Sequence, residues 1–204
     1  MFLEIHPDNP QERYIMQVTE VLEDGGVIIL PTDTVYGIAC DSTNQKAIGK
    51  ISRLKNLDPS KALFTLLCDD IAQVAQYAWQ LDNQIFKLIK RNTPGPFTFI
   101  LKSGRALPKL LLNRRKTIGV RIPDNHIAQA IIKTFGRPLI STSLISDDDI
   151  HQYPNDPWEI HQEYENRVDM VIDGGLGGMD PSTVVDCTQT PYEIIRQGPV
   201  ELVE

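Results

Sequence analysis

The chain has 204 residues, 41% of them hydrophobic and 23% charged, with a formal net charge of −7, which fits one sizeable globular domain with its own core. No apolar run is long enough to span a bilayer and the amino terminus lacks a signal-peptide pattern, so we expect no membrane partner. Cys40, Cys68 and Cys187 are odd in number and widely spaced, which argues against a disulfide framework and predicts a cytoplasmic location.

The first half of the chain alternates helical patterns with apolar strand patterns. Ile15, Val18 and Leu22 recur at helical spacing over residues 10–23, and the "GVIILP" that follows predicts a central strand. The remaining segments of this half predict helices over 43–57, 69–78 and 82–91 and strands over 62–68 and 97–102.

Strand patterns are denser in the second half. The segments predict strands over 117–123, 138–143, 168–173, 181–188 and 192–198, with helices over 124–136 and 156–167. The last two strands are expected to form a hairpin. We therefore expect an α/β fold in one domain spanning residues 1–204, with helices packed around a mixed, strongly twisted open sheet.

Charge is distributed unevenly along the chain. Between Lys87 and Arg137 there are twelve Lys and Arg residues and one acid, Asp124, so this window carries +11 and the remainder −18. One interpretation is a basic face that binds RNA, and the other is a set of charges scattered over a solvated surface. The densest stretch, "RALPKLLLNRRK", supplies the candidate RNA-binding residues Arg105, Lys109, Arg114, Arg115 and Lys116.

Common catalytic signatures are absent from the sequence. There is no P-loop, dinucleotide fingerprint, G-x-S-x-G or H-E-x-x-H motif, and no nucleophile–base pair emerges. The four histidines have no ligand spacing with the cysteines, so we expect no metal held by protein ligands. The glycine-rich "GGLGG" (174–178) fits none of these motifs and predicts a flexible loop.

Polar residues collect instead at predicted strand ends, where ligands of open α/β sheets bind. "PTDTVYG" (31–37) follows a buried strand directly, so Thr32 and Thr34 are expected to present hydroxyls to one side, with Asp33 opposite. Turn chemistry explains the same residues. "RPLISTSLIS" (137–146) likewise ends a strand in the hydroxyls of residues 141–143.

The segment "KTIGVRIP" places a cation beside a small residue. In a strand, Thr117, Gly119 and Arg121 share one face, so a carboxylate or phosphate would fit under the guanidinium. The alternative is an edge-strand Arg that faces water. Lys55 similarly either interacts with a helix C-terminus or, with Lys61, holds a polyphosphate. This inventory suits binding and transfer at phosphorus.

The ordered segments "GGVIILPTDTVYG", "LKNLDPSKALFTLL", "TPGPFTFILK", "KTIGVRIP", "RPLISTS", "DPSTVVD" and "IIRQG" resemble the YrdC/YciO family, and "STSL" resembles its YciO branch. The resemblance covers nearly the whole chain. It implies an open twisted sheet with a concave basic cavity, and binding to double-stranded RNA or tRNA. Its synthase members condense threonine, bicarbonate and ATP, with magnesium, into threonylcarbamoyl-AMP for the t6A modification of tRNA.

The resemblance also implies roles for individual residues. Nucleotide contacts, with ATP or AMP, are implied for Lys55, Lys61, Ser141, Ser143 and Arg196. Threonine contacts are implied for Thr32, Thr34, Arg121 and Ser182.

Two positions depart from the synthase pattern. The Lys-x-Arg motif reads Lys55-Asn56-Leu57 here, and Ser-x-Asn reads Ser143-Leu144-Ile145. A missing transition-state donor lowers the rate by roughly a hundredfold or more. The sequence therefore supports a nucleotide- and RNA-binding protein of the YciO type with weak or altered synthase chemistry. The alternatives are an active threonylcarbamoyl-AMP synthase that uses another arginine, Arg53 or Arg91, and a cavity for an unrelated metabolite.

Overall fold

A single mixed sheet organises the protein. The computed structural model describes residues 1–56, 64–108, 111, 116–144 and 153–204. The strands are β1 (Phe2–Glu4), β2 (Ile28–Leu30), β3 (Gly37–Asp41), β4 (Thr65–Leu67), β5 (Phe97–Lys102), β6 (Thr117–Arg121), β7 (Leu139–Ser143), β8 (Met170–Asp173), β9 (Thr183–Asp186) and β10 (Glu193–Arg196). Their order across the sheet is β1-β8-β2-β3-β7-β4-β6-β5-β9-β10. The predicted α/β fold with a mixed open sheet is thereby confirmed.

The sheet contains both parallel and antiparallel pairs of neighbouring strands. β8 pairs in parallel with β1 and β2, β4 with β6, and β5 with β9. The other neighbours are antiparallel, including the predicted hairpin of β9 and β10. Two strands, β1 and β3, were not predicted. β1 has only three residues, and β3 begins at Gly37, inside the segment interpreted as a turn.

All of the described helices except α1 begin where the sequence places a capping side chain. They are α1 (Glu12–Glu23), α2 (Gln45–Leu54), α3 (Ile71–Tyr77), α4 (Asn83–Asn92), α5 (His126–Phe135) and α6 (Pro157–Tyr164). From α2 to α6, the side chain of the preceding Asn or Asp accepts a backbone N–H of the first turn. α5 ends at Gly136, whose φ of 74° is the left-handed conformation that glycine adopts readily. No described helix has the length and apolarity that crossing a membrane requires.

Strand alternation separates two hydrophobic clusters on opposite faces of the sheet. On β2, for example, Ile29 packs in one cluster, and Ile28 and Leu30 pack in the other. The first face is covered by α2, α3, α4 and α6, whose buried aliphatic residues all join the larger cluster. The second face is covered by α1 and α5 over its β1-to-β7 side.

The remaining part of the second face, on β7, β4, β6, β5 and β9, is called the open half below. Leu139 on β7 and Leu67 on β4 still pack in the cluster of α1 and α5, whereas Thr65, Gly119 and Thr98 lie on this half outside both clusters. This half is where the polar strand residues lie.

Candidate functional site

The open half carries a row of small and polar residues from neighbouring strands. Ser141 on β7 pairs with Thr65 on β4, and Thr65 pairs with Gly119 on β6. Neighbouring strands lie about 4.8 Å apart, so Ser141 and Gly119 are roughly 10 Å apart. A Cβ atom on Gly119 would lie 3.1 Å from Thr65 Oγ1 and 3.3 Å from Thr98 Cγ2. Glycine therefore lets the Thr65 and Thr98 side chains approach each other closely across β6.

Arg121, at the end of β6, forms a buried ion pair with Asp33. Its Nη2 donates to Asp33 Oδ1 at 2.5 Å, and both side chains are 9% exposed. β6 lies between β4 and β5, so the interpretation of Arg121 as a water-facing residue of an edge strand is wrong. Ile118 and Val120 pack in the core of the first face, which leaves Arg121 on the second, as the alternation predicted.

The electrostatics around Arg121 favour an anionic ligand. Burial lowers the pKa of Arg121 below its ordinary value, the charge of Asp33 opposes this shift, and the charge of Arg196 adds to it. Because arginine stays protonated in proteins, the shift indicates a net electrostatic cost rather than a titration. Arg196 lies close enough to Arg121 to act on it electrostatically, and guanidinium groups bind carboxylate and phosphate ligands readily.

Ser182 connects the Arg121 region to β9 and β10. Its hydroxyl lies 2.8 Å from the Thr98 hydroxyl, and its backbone carbonyl accepts Arg196 Nε at 3.1 Å. Thr98 alternates with Phe97 and Phe99, which are buried in the core of the first face, so Thr98 lies on the second. The structure therefore brings Arg121, Ser182 and Arg196 together on one face. Thr98 was not predicted from the sequence as part of this group. A polar residue between two aromatic residues of a predicted strand is the signal that could have indicated it.

The "PTDTVYG" segment is a tight polar turn that presents Asp33. The Thr32 hydroxyl donates to the Val35 carbonyl at 2.8 Å and accepts the Thr34 backbone N–H at 3.1 Å. The Thr32 and Thr34 hydroxyls are also 3.2 Å apart, and both residues are buried. Thr32 therefore forms the hydrogen bonds that were expected of a turn residue. Asp33 is the residue of this turn that contacts Arg121.

Hydrogen bonds anchor the "GGLGG" segment to the "PTDTVYG" turn. The sequence predicted a flexible loop here and did not predict this contact. Tyr36 Oη donates to the Gly175 carbonyl at 2.7 Å and accepts the Gly174 N–H at 3.2 Å. The Gly178 N–H donates to the Thr34 carbonyl at 2.7 Å, and a Cβ atom on Gly178 would lie only 2.5 Å from that oxygen. The glycines therefore allow a close backbone approach that positions the segment leading to Ser182.

Ser143 and Lys55 lie at the far end of β7. Ser141 and Ser143 are on the second face, and a Cβ atom on Gly37 would lie 2.9 Å from Ser141 Oγ. Lys55, which ends α2, donates through Nζ to the Leu144 carbonyl at 2.6 Å. Lys55 therefore reaches the end of β7 from the first face, and the interpretation as a purely local helix-end cation is incomplete.

Several predicted residues lie outside the described part of the chain. These are Lys61, Lys109, Arg114 and Arg115, together with the two departures Leu57 and Ile145. The binding roles of all the candidate residues stay predictions. Arg53 and Arg91 are exposed on α2 and α4, which pack on the first face, so neither helix lies on the face of Arg121.

The cations of the basic window that the structure describes do not form one continuous face. Arg121 is buried against Asp33, and Arg137 pairs with Asp41 at 3.0 Å. Exposed Lys133 is on α5, whereas the cations of α4 are on the opposite side of the sheet. Exposed Arg105 and Lys116 lie near the Lys102 end of β5, with the Arg105 guanidinium 5.7 Å from the Trp79 ring centre. Any RNA-binding surface is therefore smaller than the window as a whole.

Protein-family comparison places most of the chain in one known group. The Sua5_yciO_yrdC family model, described as "Telomere recombination", matches residues 20–198. The chain is 43% identical over 198 residues to the uncharacterized protein YciO of Escherichia coli, covering 97% of this chain and 95% of that protein. It is also 29% identical over 164 residues to threonylcarbamoyl-AMP synthase of Halorhodospira halophila, covering 80% of this chain and 84% of that protein.

Solved structures have the same fold. The crystal structure of E. coli YciO superimposes with a TM-score of 0.92 at 42% identity, covering 98% of this chain and 97% of that one. P. abyssi Sua5 complexed with L-threonine superimposes with a TM-score of 0.87 at 24% identity, covering 97% of this chain and 57% of that one. The described sheet and its open half therefore belong to an architecture that recurs in these proteins.

Proposed function

Because the chain belongs to the Sua5/YciO/YrdC family, which includes threonylcarbamoyl-AMP synthases, we propose that it is a cytoplasmic protein that binds an adenine nucleotide and threonine on its open half. It binds double-stranded RNA or tRNA as a second partner and acts in connection with t6A modification of tRNA. Its own synthesis of threonylcarbamoyl-AMP is weak.

The observation that carries the proposal is the grouping of Arg121, Asp33, Arg196 and Ser182 on the open half. The guanidinium groups supply charged donors for an anionic ligand, and the adjacent hydroxyls supply neutral hydrogen-bonding groups. Ser141 and Ser143 extend the polar surface toward Lys55, so this surface carries cations at both of its ends, Arg121 and Arg196 at one and Lys55 at the other. Magnesium would accompany ATP on its phosphate oxygens.

The weak chemistry follows from the two departures in sequence. Adenylate formation needs cations on the triphosphate and donors fixed at the α-phosphate and ribose. Lys55 and Arg196 supply cations, but Leu57 and Ile145 supply no donor where the synthase pattern has Arg and Asn. Each missing transition-state donor lowers the rate by roughly a hundredfold or more.

The RNA part of the proposal rests on a smaller surface than the sequence suggested. Arg105 and Lys116 are exposed near the same end of β5 and β6, and Lys102 lies beside them. Cations grouped in this way bind phosphates of structured RNA, with an affinity that falls as salt rises.

An active synthase is the second candidate, favoured by the 29% identity to the H. halophila enzyme. The two candidates predict the same binding of nucleotide and differ in turnover, so binding and synthesis have to be measured separately.

Calorimetric titration of AMP and ATP tests the binding. Arg196→Ala should weaken binding at least about tenfold, because a charge-assisted contact contributes about 1.5–3 kcal/mol. Lys133→Ala is the matched control, since Lys133 is an exposed cation on α5 and should leave affinity unchanged. Equal affinity of the wild type and Arg196→Ala would reject this site.

A further inference from the structure

A basic cavity lies on the first face, on the side of the sheet opposite the open half. Its volume is about 360 Å³, and it lies between the last turn of α2 and the turn that joins α6 to β8. The described residues that line it are Lys50, Arg53, Leu54, Asn56, Asn166 and Arg167. Small-molecule sites occupy roughly 300–1,000 Å³, so the cavity has room for a small organic molecule.

Cations from two separate parts of the chain line this cavity. Lys50 and Arg53 belong to α2, and Arg167 follows α6. None of the described lining residues is acidic. A helix C-terminus attracts cations, which accounts for Arg53 and Arg167 separately. That attraction does not require the two guanidinium groups to line one cavity, so their convergence points to a shared ligand.

An ion pair joins the two walls of the cavity. Lys50 Nζ donates to Asp169 Oδ2 at 2.7 Å, and the same oxygen accepts the Val27 backbone N–H at 2.7 Å. Burial alone would raise the pKa of Asp169, but the hydrogen bonds from Lys50 and Val27 outweigh it and hold that pKa below its ordinary value. Asp169 therefore stays ionised and fixes the position of Lys50, whose ammonium group has two further donors.

The two guanidinium groups have weaker compensation. Arg167 Nη1 is 3.9 Å from Glu163 Oε1, an exposed contact beyond hydrogen-bonding distance that contributes little. Arg53 forms no ion pair with any residue that the structure describes. Of the three cations, only Lys50 is hydrogen-bonded to a carboxylate, so the cavity keeps positive charge for an anionic ligand.

The donors match a phosphate monoester. Its three terminal oxygens point in different directions and carry up to two negative charges, so they can accept from cations on both walls at once. The side-chain amides of Asn56 and Asn166 supply neutral donors beside the cations. A carboxylate offers one charge in one plane, and a phosphodiester of RNA also offers only one charge.

We infer that this cavity is a second ligand site, which binds a small phosphate monoester through Lys50, Arg53 and Arg167. The assignment goes beyond the proposed function and does not depend on it, because the cavity and the open half lie on opposite faces of the sheet.

Nuclear magnetic resonance of the isotope-labelled protein tests the site, with glycerol phosphate and acetate as probes at constant ionic strength. Glycerol phosphate should produce saturable shifts of the Asn56 and Asn166 side-chain amide resonances. Acetate should bind at least about tenfold more weakly, because it leaves charged donors of the site unmatched. Equal affinity for the two probes, or shifts that do not saturate, would overturn the assignment. So would shifts produced by structured RNA and not by glycerol phosphate.

Three arginine variants locate the binding. Arg53→Gln and Arg167→Gln should each weaken glycerol phosphate binding at least about tenfold, because each removes a charge-assisted contact. Both residues are exposed, so the variants should fold. Arg13→Gln is the matched control, since it removes the same charge from an exposed arginine of α1 that also lies over a tyrosine ring. Its affinity should equal that of the wild type, and equal losses in all three variants would overturn the site.

Discussion

The Thr98 and Ser182 hydroxyls lie 2.8 Å apart, which joins β5 to the segment that enters β9 across 84 residues of sequence. Both residues are buried on the face that carries Arg121. This hydrogen bond fixes the position of Ser182, whose carbonyl in turn accepts Arg196 Nε. The arrangement makes Thr98 a positioning residue for the candidate site.

Thr98→Val should therefore change both stability and ligand binding. The loss of one buried hydrogen bond lowers the free energy of unfolding by about 1 kcal/mol, or somewhat more because the Ser182 hydroxyl loses its partner. Urea denaturation measures this loss, and AMP titration should show weaker binding. Thr98→Ser is the control, since it retains the hydroxyl and should restore AMP affinity. Wild-type AMP affinity in Thr98→Val would contradict the positioning role.

Tyr36→Phe should loosen the loop over residues 174–178. The substitution removes the hydroxyl that bonds to Gly174 and Gly175, and the two lost hydrogen bonds together cost about 1–3 kcal/mol. Hydrogen exchange should accelerate at the amides of this loop, with smaller changes in α5. Unchanged exchange in the loop would show that Tyr36 does not anchor it.

Tyr36 also predicts a response to alkaline pH. Burial raises the pKa of Tyr36 to about 12, above its ordinary value of 10.0. The unfolded chain therefore ionises at Tyr36 first, and the free energy of unfolding falls as pH rises between these two values. Tyr36→Phe should show a shallower decline than the wild type in denaturant titrations across this range. Parallel pH profiles for the two proteins would contradict the assignment.

The Asp41–Arg137 pair should contribute to stability against acid. Burial alone raises the pKa of Asp41, but hydrogen bonds from Arg137 and Thr43 outweigh it and hold the pKa below its ordinary value. The unfolded carboxylate then takes up a proton first, so stability falls as pH drops below about 4. Asp41→Asn should be less stable than the wild type at neutral pH and less sensitive to acid. An identical acid transition midpoint and slope in both proteins would refute this contribution.

The RNA surface can be tested with matched charge reversals. Reversing Arg114, Arg115 and Lys116 to Glu should weaken binding of structured RNA at low salt and reduce the salt slope by about one for each lost phosphate contact. The control reverses Lys87, Lys90 and Arg91, the three cations of α4, which changes the net charge equally on the first face. Equal losses in the two variants would indicate a nonspecific charge effect.

Helices and strands with strong local signals could be predicted from the sequence. Contacts that depend on tertiary pairing could not. α5 was placed correctly because Asn125 and Gly136 mark its ends. β1 was missed because three residues give too little periodicity, and its partner β8 is remote in sequence. The pairing of Asp33 with Arg121 spans 88 residues and depends on which turn lies over which strand, which no local pattern specifies.

Restoring the synthase pattern tests the proposal that Leu57 and Ile145 weaken adenylate synthesis. Leu57→Arg with Ile145→Asn should raise adenylate synthesis more than either single change, because the two side chains would act on one transition state. Circular dichroism must first show that the double variant folds, since a buried arginine without a partner destabilises a protein. A folded double variant with no more activity than the wild type would mean that these two positions do not limit the reaction.

The most direct test of the central claim is one incubation of the unmodified protein with ATP, magnesium, threonine and labelled bicarbonate, in which pyrophosphate and threonylcarbamoyl-AMP are measured. The H. halophila synthase serves as the reference under the same conditions. We predict that AMP and ATP bind measurably, while adenylate formation is at least about a hundredfold slower than in the reference enzyme. Turnover at the rate of the reference enzyme would contradict the account and establish the chain as an active synthase.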